Sequence, residues 1–214
     1  LKDTNKDIET LYIGGGTPTA LEANQLDVLI KALFEELDLS NIKEFTVEAG
    51  IPDTITKEKL EVMKKHNVTR ISINPQTMND ETLEKIGRAH SVSDIVDCFN
   101  MAREIGFDNI NVDFMIALPG EDEWSVAIQI SEIINLKPEH ISCYSLILED
   151  GTRLKEMVDS GEVELPTDEE ERKMYWKMKE LLEENGYEHY EISNFSRPGY
   201  RSRHNMDCWS QKEY

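Results

Sequence analysis

The sequence predicts an α/β protein built on a parallel sheet, and two observations support this fold class. Five short β-rich segments occur along residues 1–150, and single or paired helical segments separate them. The segments recur at roughly 30-residue spacing, which is the length of a βαβ unit with its right-handed crossover. This count and spacing favour an open or partial α/β barrel over a doubly wound sheet, although the pattern alone allows both.

The first two βα units have clear local signals. Residues 10–13 are expected to form a strand that runs into Gly14, Gly15 and Gly16. A second strand is expected at 44–49, and Thr56 is the predicted N-cap of a helix over 57–66. The helix between these strands is predicted to bury one apolar face, which consists of Leu26, Leu29, Ile30, Leu33, Phe34 and Leu37.

Three further units follow the same order. Strands are expected at 68–73, 109–116 and 140–148, with helices at 79–87, 91–106 and 123–136. The rhythm changes after residue 150, so the chain is divided into a barrel at 1–150 and a C-terminal extension at 151–214. In the extension we predict a long charged helix at 167–185 and one strand at 187–192, whereas the tail at 193–214 has no clear periodicity.

Composition limits the functions that this chain can have. Asp and Glu outnumber Lys and Arg by 43 to 23, and the resulting charge of −20 repels nucleic acid and anionic membranes. No run approaches eighteen apolar residues, so no membrane-spanning helix is expected. The three cysteines lack the spacing of a disulfide framework or a zinc site, which fits a cytoplasmic protein. The chain begins at Leu1 without an initiator Met, and we therefore expect a fragment.

The first four predicted strands end in polar or glycine-rich residues. These residues are Gly14 to Thr17, Glu48, Gln76 and Asp113. Because ligands of parallel βα folds bind at the carboxyl ends of the strands, these groups are candidates for one shared site. Exposed glycine backbone suits an ammonium group, carboxylates and an amide suit ribose hydroxyls, and Arg88 suits a carboxylate, so a nucleoside that carries an amino acid is the expected ligand. The alternatives for single residues are a simple turn, a helix cap or a surface ion pair.

Several motifs occur in a fixed order. They are Leu11-Tyr12-Ile13-Gly14-Gly15-Gly16-Thr17-Pro18-Thr19, Thr46-Val47-Glu48-Ala49, Arg70-Ile71-Ser72-Ile73-Asn74-Pro75-Gln76, Ile86-Gly87-Arg88-Ala89-His90, Asn111-Val112-Asp113, Leu118-Pro119-Gly120 and Tyr190-Glu191-Ile192-Ser193-Asn194-Phe195. Together they resemble radical S-adenosylmethionine (SAM) proteins. More narrowly, they resemble the oxygen-independent coproporphyrinogen III oxidase-like group, which includes the HemW-type haem chaperones. The resemblance covers nearly the whole chain.

The resemblance implies a fold, cofactors and site residues. The fold would be the partial (βα)6 barrel of the TIM type, here without its first strand. Gly14, Gly15 and Gly16 would hold the amino group of SAM, with Thr17 beside them, and Arg88 would hold its carboxylate. Ribose or adjacent groups would be contacted by Glu48, Gln76 and Asp113.

The family's iron–sulfur chemistry requires cysteines that this chain lacks. Radical SAM proteins hold a [4Fe–4S] cluster with a C-x3-C-x2-C loop after the first strand, and the spacing of Cys98, Cys143 and Cys208 is different. We therefore expect the chain to be truncated before the cluster motif, with the cluster cysteines upstream. By itself, the chain should not cleave SAM.

The C-terminal tail favours the chaperone branch of the group. His204-Asn205-Met206-Asp207-Cys208-Trp209 resembles the branch's H-N-x-x-Y-W element, with Cys208 in place of tyrosine. His204 is a candidate axial haem ligand, since a neutral imidazole binds iron well. Implied partners are haem or a porphyrinogen, an electron donor and a haem-acceptor protein. Two alternatives stay open: an oxygen-independent coproporphyrinogen III dehydrogenase, and a phosphate- or nucleotide-binding (βα) barrel enzyme.

Overall fold

Seven strands form one sheet in the computed structural model of the chain, which describes residues 8–211. The strand order is β1-β2-β3-β4-β5-β7-β6. The strands are β1 (Thr10–Ile13), β2 (Glu44–Gly50), β3 (Arg70–Gln76), β4 (Ile110–Ile116), β5 (His140–Ser145), β6 (Glu188–Glu191) and β7 (Asn194–Ser196).

The direction of the strands confirms the predicted βα units. Strands β1 to β5 pair in parallel and in sequence order. Strands β7 and β6 then extend the sheet antiparallel beyond β5. The sheet curls into a half-barrel, which is the predicted partial barrel. Because β6 and β7 belong to the same sheet, the proposed boundary at residue 150 divides the chain but not the sheet.

Eight helices accompany the sheet within the described residues. They are α1 (Ala23–Glu36), α2 (Lys57–Lys65), α3 (Asp80–Lys85), α4 (Val92–Ile105), α5 (Glu123–Leu136), α6 (Arg153–Asp159), α7 (Asp168–Glu184) and α8 (Arg203–Trp209). The predicted N-cap of α2 is confirmed, because the Thr56 side chain accepts a hydrogen bond from the amide of Lys59. Helices α6 and α8 were not predicted. None of the helices in residues 8–211 is both long enough and apolar enough to cross a bilayer.

Alternation along the strands separates an apolar face from a polar one. In β2, Phe45 and Val47 join the hydrophobic core beneath the helices, whereas Glu44, Thr46 and Glu48 are the intervening residues on the opposite face. The same alternation continues in β3, β4 and β5, so one side of the sheet is packed by helices and the concave side is lined with polar groups.

The predicted inner face of α1 is only half correct. Leu26 and Ile30 are fully buried, but Leu29 is 36% exposed and Phe34 is 40% exposed. Helix α1 packs on α2 and on the short 3₁₀ turn Pro18–Ala20. A helix in this position covers the sheet with a narrow stripe, so the flanking apolar residues of a six-residue face remain in solvent.

A buried histidine connects the strands on the concave side. The Nδ1 of His140 donates to Asn111 Oδ1 at 2.6 Å, and its Nε2 accepts from the Tyr190 hydroxyl at 2.6 Å. The same hydroxyl accepts from the amide of Ser202 at 3.2 Å. Burial, with the nearby charge of Arg70, holds the pKa of His140 well below its usual range, and the imidazole is therefore neutral.

The C-terminal segment is fastened to the same concave side. The Glu44 carboxylate accepts hydrogen bonds from the amides of Arg203, at 2.9 Å, and His204, at 3.1 Å. The Arg70 guanidinium donates to the carbonyl of Tyr200 at 3.3 Å. Residues from the start of β2 and β3 thus cap α8 and hold the segment that leads into it.

The buried neutral imidazole predicts that acid weakens the fold. Because the pKa of His140 is lowered on folding, its contribution to stability is present above the unfolded pKa of about 6.5 and is lost as the pH falls below it. Between pH 7.5 and 5.5, one such histidine lowers the free energy of unfolding by about 1.4 kcal/mol. Urea unfolding at the two pH values measures this loss.

His140→Asn is the control for this prediction. It removes the titrating imidazole and leaves Asp113 and Glu121 in place. The pKa values of these two carboxyls are raised by burial, so their contribution to stability increases as the pH falls, opposite to that of His140. The wild type should therefore lose more stability on acidification than the variant does. Equal losses in both proteins would contradict the role given to His140.

Candidate functional site

The glycine loop after β1 and the carboxylate at the end of β2 are in direct contact. The amide of Gly15 donates to Glu48 Oε2 at 3.2 Å, and the hydroxyl of Tyr12 donates to Glu48 Oε1 at 2.6 Å. Burial, with the neighbouring Glu48 carboxylate, raises the pKa of Tyr12, so the phenol stays protonated and acts as a donor. The sequence assigns the glycines and Glu48 to one candidate site, and the structure places them in contact.

Glycine is needed in this loop for two different structural reasons. A Cβ atom on Gly14 would lie 2.5 Å from Tyr12 Cε1 and 2.9 Å from Glu48 Cδ, so only glycine fits there. Gly15 and Gly16 have φ angles of +80° and +94°, which L side chains rarely adopt. A Cβ on either residue would meet no atom within 4 Å. The backbone of these two residues therefore faces open space.

Thr17 and Thr19 fasten the turn that follows the glycines. The Cγ2 atom of Thr17 lies 2.7 Å from the position that a Cβ of Gly50 would take, so its methyl group packs on the end of β2. The Thr19 hydroxyl is buried, donates to the carbonyl of Ala49 and lies 2.6 Å from the Thr54 hydroxyl. The Gly-Gly-Gly-Thr-Pro-Thr sequence thus includes two threonines that pack the loop against its neighbour.

Asp113 ends a chain of polar contacts across β3 and β4. The amide group of Asn111 donates to Asp113 Oδ1 at 2.7 Å and to the Ser72 hydroxyl at 2.6 Å. Desolvation raises the pKa of Asp113, although hydrogen bonds from Tyr144 and Asn111 act in the opposite direction. Because the carboxyl group is poorly hydrated, it is suited to a hydroxyl partner.

Gln76 is the last residue of β3, and Arg88 lies on the loop after α3. Gln76 has a φ of +72°, an uncommon conformation outside glycine, at a break in the β3–β4 register. The amide of Arg88 donates to the carbonyl of Leu83 at 2.8 Å. Within residues 8–211 the Arg88 guanidinium makes neither a hydrogen bond nor an ion pair, so the surface ion pair considered for it is not formed there.

Two buried residues, His90 and Lys59, are not among the site residues that the sequence predicts. His90 is buried, with its Nε2 3.5 Å from the carbonyl of Pro75 and its Nδ1 3.8 Å from the carboxylate of Asp53. Lys59 is buried as well, although a lysine on an amphipathic helix is normally exposed. Only the Gly-Arg-Ala-His motif, in which His90 is the last residue, could have drawn attention to one of them.

His204 lies beside β1, close to the glycine loop. Its Nδ1 is 3.0 Å from the Thr10 hydroxyl, and its ring stacks on that of Tyr12 with centroids 5.1 Å apart. The other nitrogen, Nε2, is 3.9 Å from Cys208 Sγ. Tyr12 therefore contacts both the Glu48 carboxylate and the candidate haem ligand.

The cysteines do not form a metal site. Cys98 and Cys143 are buried, and desolvation raises the pKa of both thiols, to about 12 for Cys98. Cys208 is exposed on α8. Across residues 8–211, no group of three or more histidine, cysteine or acidic side chains is arranged to hold a metal ion. The described residues therefore do not fit a [4Fe–4S] cluster, whereas the open glycines, Glu48 and Arg88 fit the polar groups of SAM.

Comparison with curated proteins finds close relatives of this chain. It is 41% identical over 207 residues to the heme chaperone HemW of Lactococcus lactis, a match that covers 97% of this chain and 54% of the relative. It is 41% identical to HemW of Bacillus subtilis, over all of this chain and 56% of the relative. It is also 44% identical, over 68% of this chain and 29% of the relative, to the oxygen-independent coproporphyrinogen-III oxidase-like protein HemZ of B. subtilis. The chain thus spans about half the length of the HemW proteins it matches.

Solved structures show the same fold. Coproporphyrinogen III oxidase (HemN) from Escherichia coli superposes with a TM-score of 0.80 at 23% identity, over 96% of this chain and 46% of that protein. Elp3 from Methanocaldococcus infernus superposes with a TM-score of 0.70 at 23% identity, over 79% of this chain and 44% of that one. Residues 1–128 match the sequence pattern of the Radical SAM superfamily. A partial barrel with a glycine loop, a rim carboxylate and this sequence pattern identifies the chain as a member of the radical SAM superfamily.

Proposed function

We propose that this chain is the SAM-binding barrel of a HemW-type haem chaperone, a radical SAM protein that binds SAM at the rim and haem beside α8. The observation that carries the proposal is the contact between Glu48 and the amide of Gly15, in a loop where a Cβ on Gly15 or Gly16 would meet no atom within 4 Å. Membership in the radical SAM superfamily argues against the second alternative, a phosphate- or nucleotide-binding (βα) barrel enzyme.

The rim residues have complementary tasks in this proposal. The backbone of Gly15 and Gly16 accepts the ammonium group of SAM, since no side chain blocks it. Arg88 takes the carboxylate with its guanidinium fork. Glu48 and Asp113 accept hydrogen bonds from ribose hydroxyls, and Gln76 supplies an amide beside them. Thr17 stays a candidate for the same ligand, because its hydroxyl has no partner within residues 8–211.

Haem binding rests on the relatives and on the surroundings of His204. Two relatives at 41% identity are named heme chaperones, and α8 carries the His-Asn element of the tail. Because Nδ1 faces the Thr10 hydroxyl, Nε2 is the nitrogen that would bind iron, and Cys208 lies next to it. In a chaperone, haem is cargo, so the proposed partners include a haem-acceptor protein as well as an electron donor.

The [4Fe–4S] cluster belongs to the intact protein in this proposal. SAM and the cluster, when both are bound, supply the radical chemistry for which the superfamily is named. The cluster cysteines are proposed to lie upstream of Leu1. A reading frame without C-x3-C-x2-C upstream would exclude a cluster of the family type. A cytoplasmic location also stays a prediction.

The SAM site predicts that a methyl group on the glycine loop blocks the ligand. Gly15→Ala adds a Cβ to the open space, and we expect the affinity for SAM to fall at least about tenfold, equivalent to about 1.4 kcal/mol. Isothermal titration of the intact, anaerobically reconstituted protein with SAM measures the change.

Gly151→Ala is the matched control, because Gly151 has a φ of +79° and also meets no atom within 4 Å. Both variants carry the same backbone strain, so both should be destabilised to a similar degree. Only Gly15→Ala should bind SAM more weakly. Equal SAM affinity in the two variants would remove the glycine loop from the site.

The haem site predicts a spectroscopic change in His204→Ala. Loss of the imidazole should shift the Soret band of bound haem and weaken haem binding at least about tenfold, because one iron ligand is removed. A haem titration of the intact protein provides both readouts. His66→Ala, a change in the α2 cap that contacts Asp27, is the control and should leave haem binding unchanged.

The same preparation separates the chaperone from the oxidase. We expect tight haem binding and no decarboxylation of coproporphyrinogen III. Turnover to harderoporphyrinogen or protoporphyrinogen would favour the coproporphyrinogen dehydrogenase instead. Normal haem affinity and an unchanged Soret band in His204→Ala would leave the chaperone possible but with another ligand.

A further inference from the structure

A buried lysine lies behind the glycine loop and connects two of the rim loops. The Nζ of Lys59, on α2, donates to the carbonyl of Thr19 at 2.7 Å and to the carbonyl of Thr54 at 3.1 Å. The residue is only 8% exposed. Thr19 is the middle residue of the 3₁₀ turn Pro18–Ala20 that follows the glycines, and Thr54 ends the 3₁₀ turn Pro52–Thr54 that follows β2.

The ammonium group of Lys59 has no carboxylate partner in the described part of the chain. A buried charge is costly, and here its compensation consists of two backbone carbonyls from different loops. Without the lysine, the carbonyls of Thr19 and Thr54 would each lose this hydrogen-bond donor. Lys59 and the two loops therefore depend on each other, and the lysine holds the loops at a fixed separation.

The loop that Lys59 holds continues directly into the proposed SAM site. The carbonyl of Thr19 is in the turn that starts at Thr17, whose methyl group packs on Gly50. Gly15 and Gly16 immediately precede this turn, and Gly15 is tied to Glu48 on the other side. The loop is thus fixed at one end by Glu48 and at the other by Lys59.

From this geometry we propose that Lys59 is a positioning residue for the amino-acid end of SAM. It acts through the Thr17–Ala20 segment and does not touch the ligand. The proposal rests on the SAM site proposed above, and it assigns the lysine to one part of that ligand. The nucleoside end, whose ribose is assigned above to Glu48, Gln76 and Asp113, should not depend on it.

The test compares two ligands that differ in the amino-acid part. 5′-Methylthioadenosine has the nucleoside and sulfur of SAM but lacks the amino-acid group. Lys59→Met, which keeps an unbranched apolar side chain but lacks the ammonium group and so removes both hydrogen bonds, should weaken SAM binding at least about tenfold. Its affinity for methylthioadenosine should stay within about twofold of wild type. Isothermal titration of the intact, reconstituted protein measures both affinities.

Lys57→Met is the matched control, since Lys57 is exposed on the same helix. It should leave both affinities unchanged. If Lys59→Met fails to fold, Lys59→Gln, whose amide can keep one of the two hydrogen bonds, takes its place, with a smaller loss of SAM affinity and again none for methylthioadenosine. Thermal unfolding of each variant shows whether it is folded.

Two results would overturn the inference while the SAM site stands. One is wild-type affinity for SAM in the folded Lys59 variants, and the other is an equal loss for both ligands, which indicates a general structural role. A wild-type protein that binds neither ligand would instead overturn the proposed function, and the inference with it.

Discussion

The concave side of the sheet imposes the constraint on which the rest of this structure depends: its buried polar groups must find partners inside the protein. A carboxylate on β2, a guanidinium on β3 and an imidazole on β5 lie there, and each is expensive to bury alone. Glu44, Arg70 and His140 are satisfied largely by the C-terminal residues that cross this side. The C-terminal segment therefore both covers the concave side of the sheet and supplies hydrogen-bond partners to its buried polar groups.

This constraint places the rim residues in two classes. Some have open space or lack a side-chain partner: a Cβ on Gly15 or Gly16 would meet no atom within 4 Å, and the Arg88 guanidinium has no partner within residues 8–211. Others are buried beside them: Thr19 and Lys59 fix the glycine loop, and His90 lies between the turn of Asp53 and the end of β3 at Pro75. Residues of the first class can be recognised in the sequence as candidates for a binding site. Residues of the second class look like ordinary helix and loop residues there.

That difference explains how far the sequence could predict this protein. Five βα units, the Thr56 cap and the grouping of Gly15 with Glu48 follow from local periodicity and from the rule that strand ends share a rim. Helix α8 has a local N-cap, because the Ser202 side chain accepts from the amide of Asn205, but its seven residues show no clear apolar periodicity. Its first amides also bond Glu44, which is more than 150 residues away. Strand β7 has only three residues and is defined by its pairing with β5 and β6. Contacts with residues far away in the chain produce no periodic pattern in the sequence.

Tyr12 gives the site a property that a set of separate residues would not have. Its hydroxyl is bonded to Glu48, and its ring is stacked on His204. Residues that share a contact in this way are energetically coupled, so the effects of changing both do not simply add. Evolution at the rim and at α8 is therefore not independent: a replacement tolerated at one of these positions depends on what occupies the other.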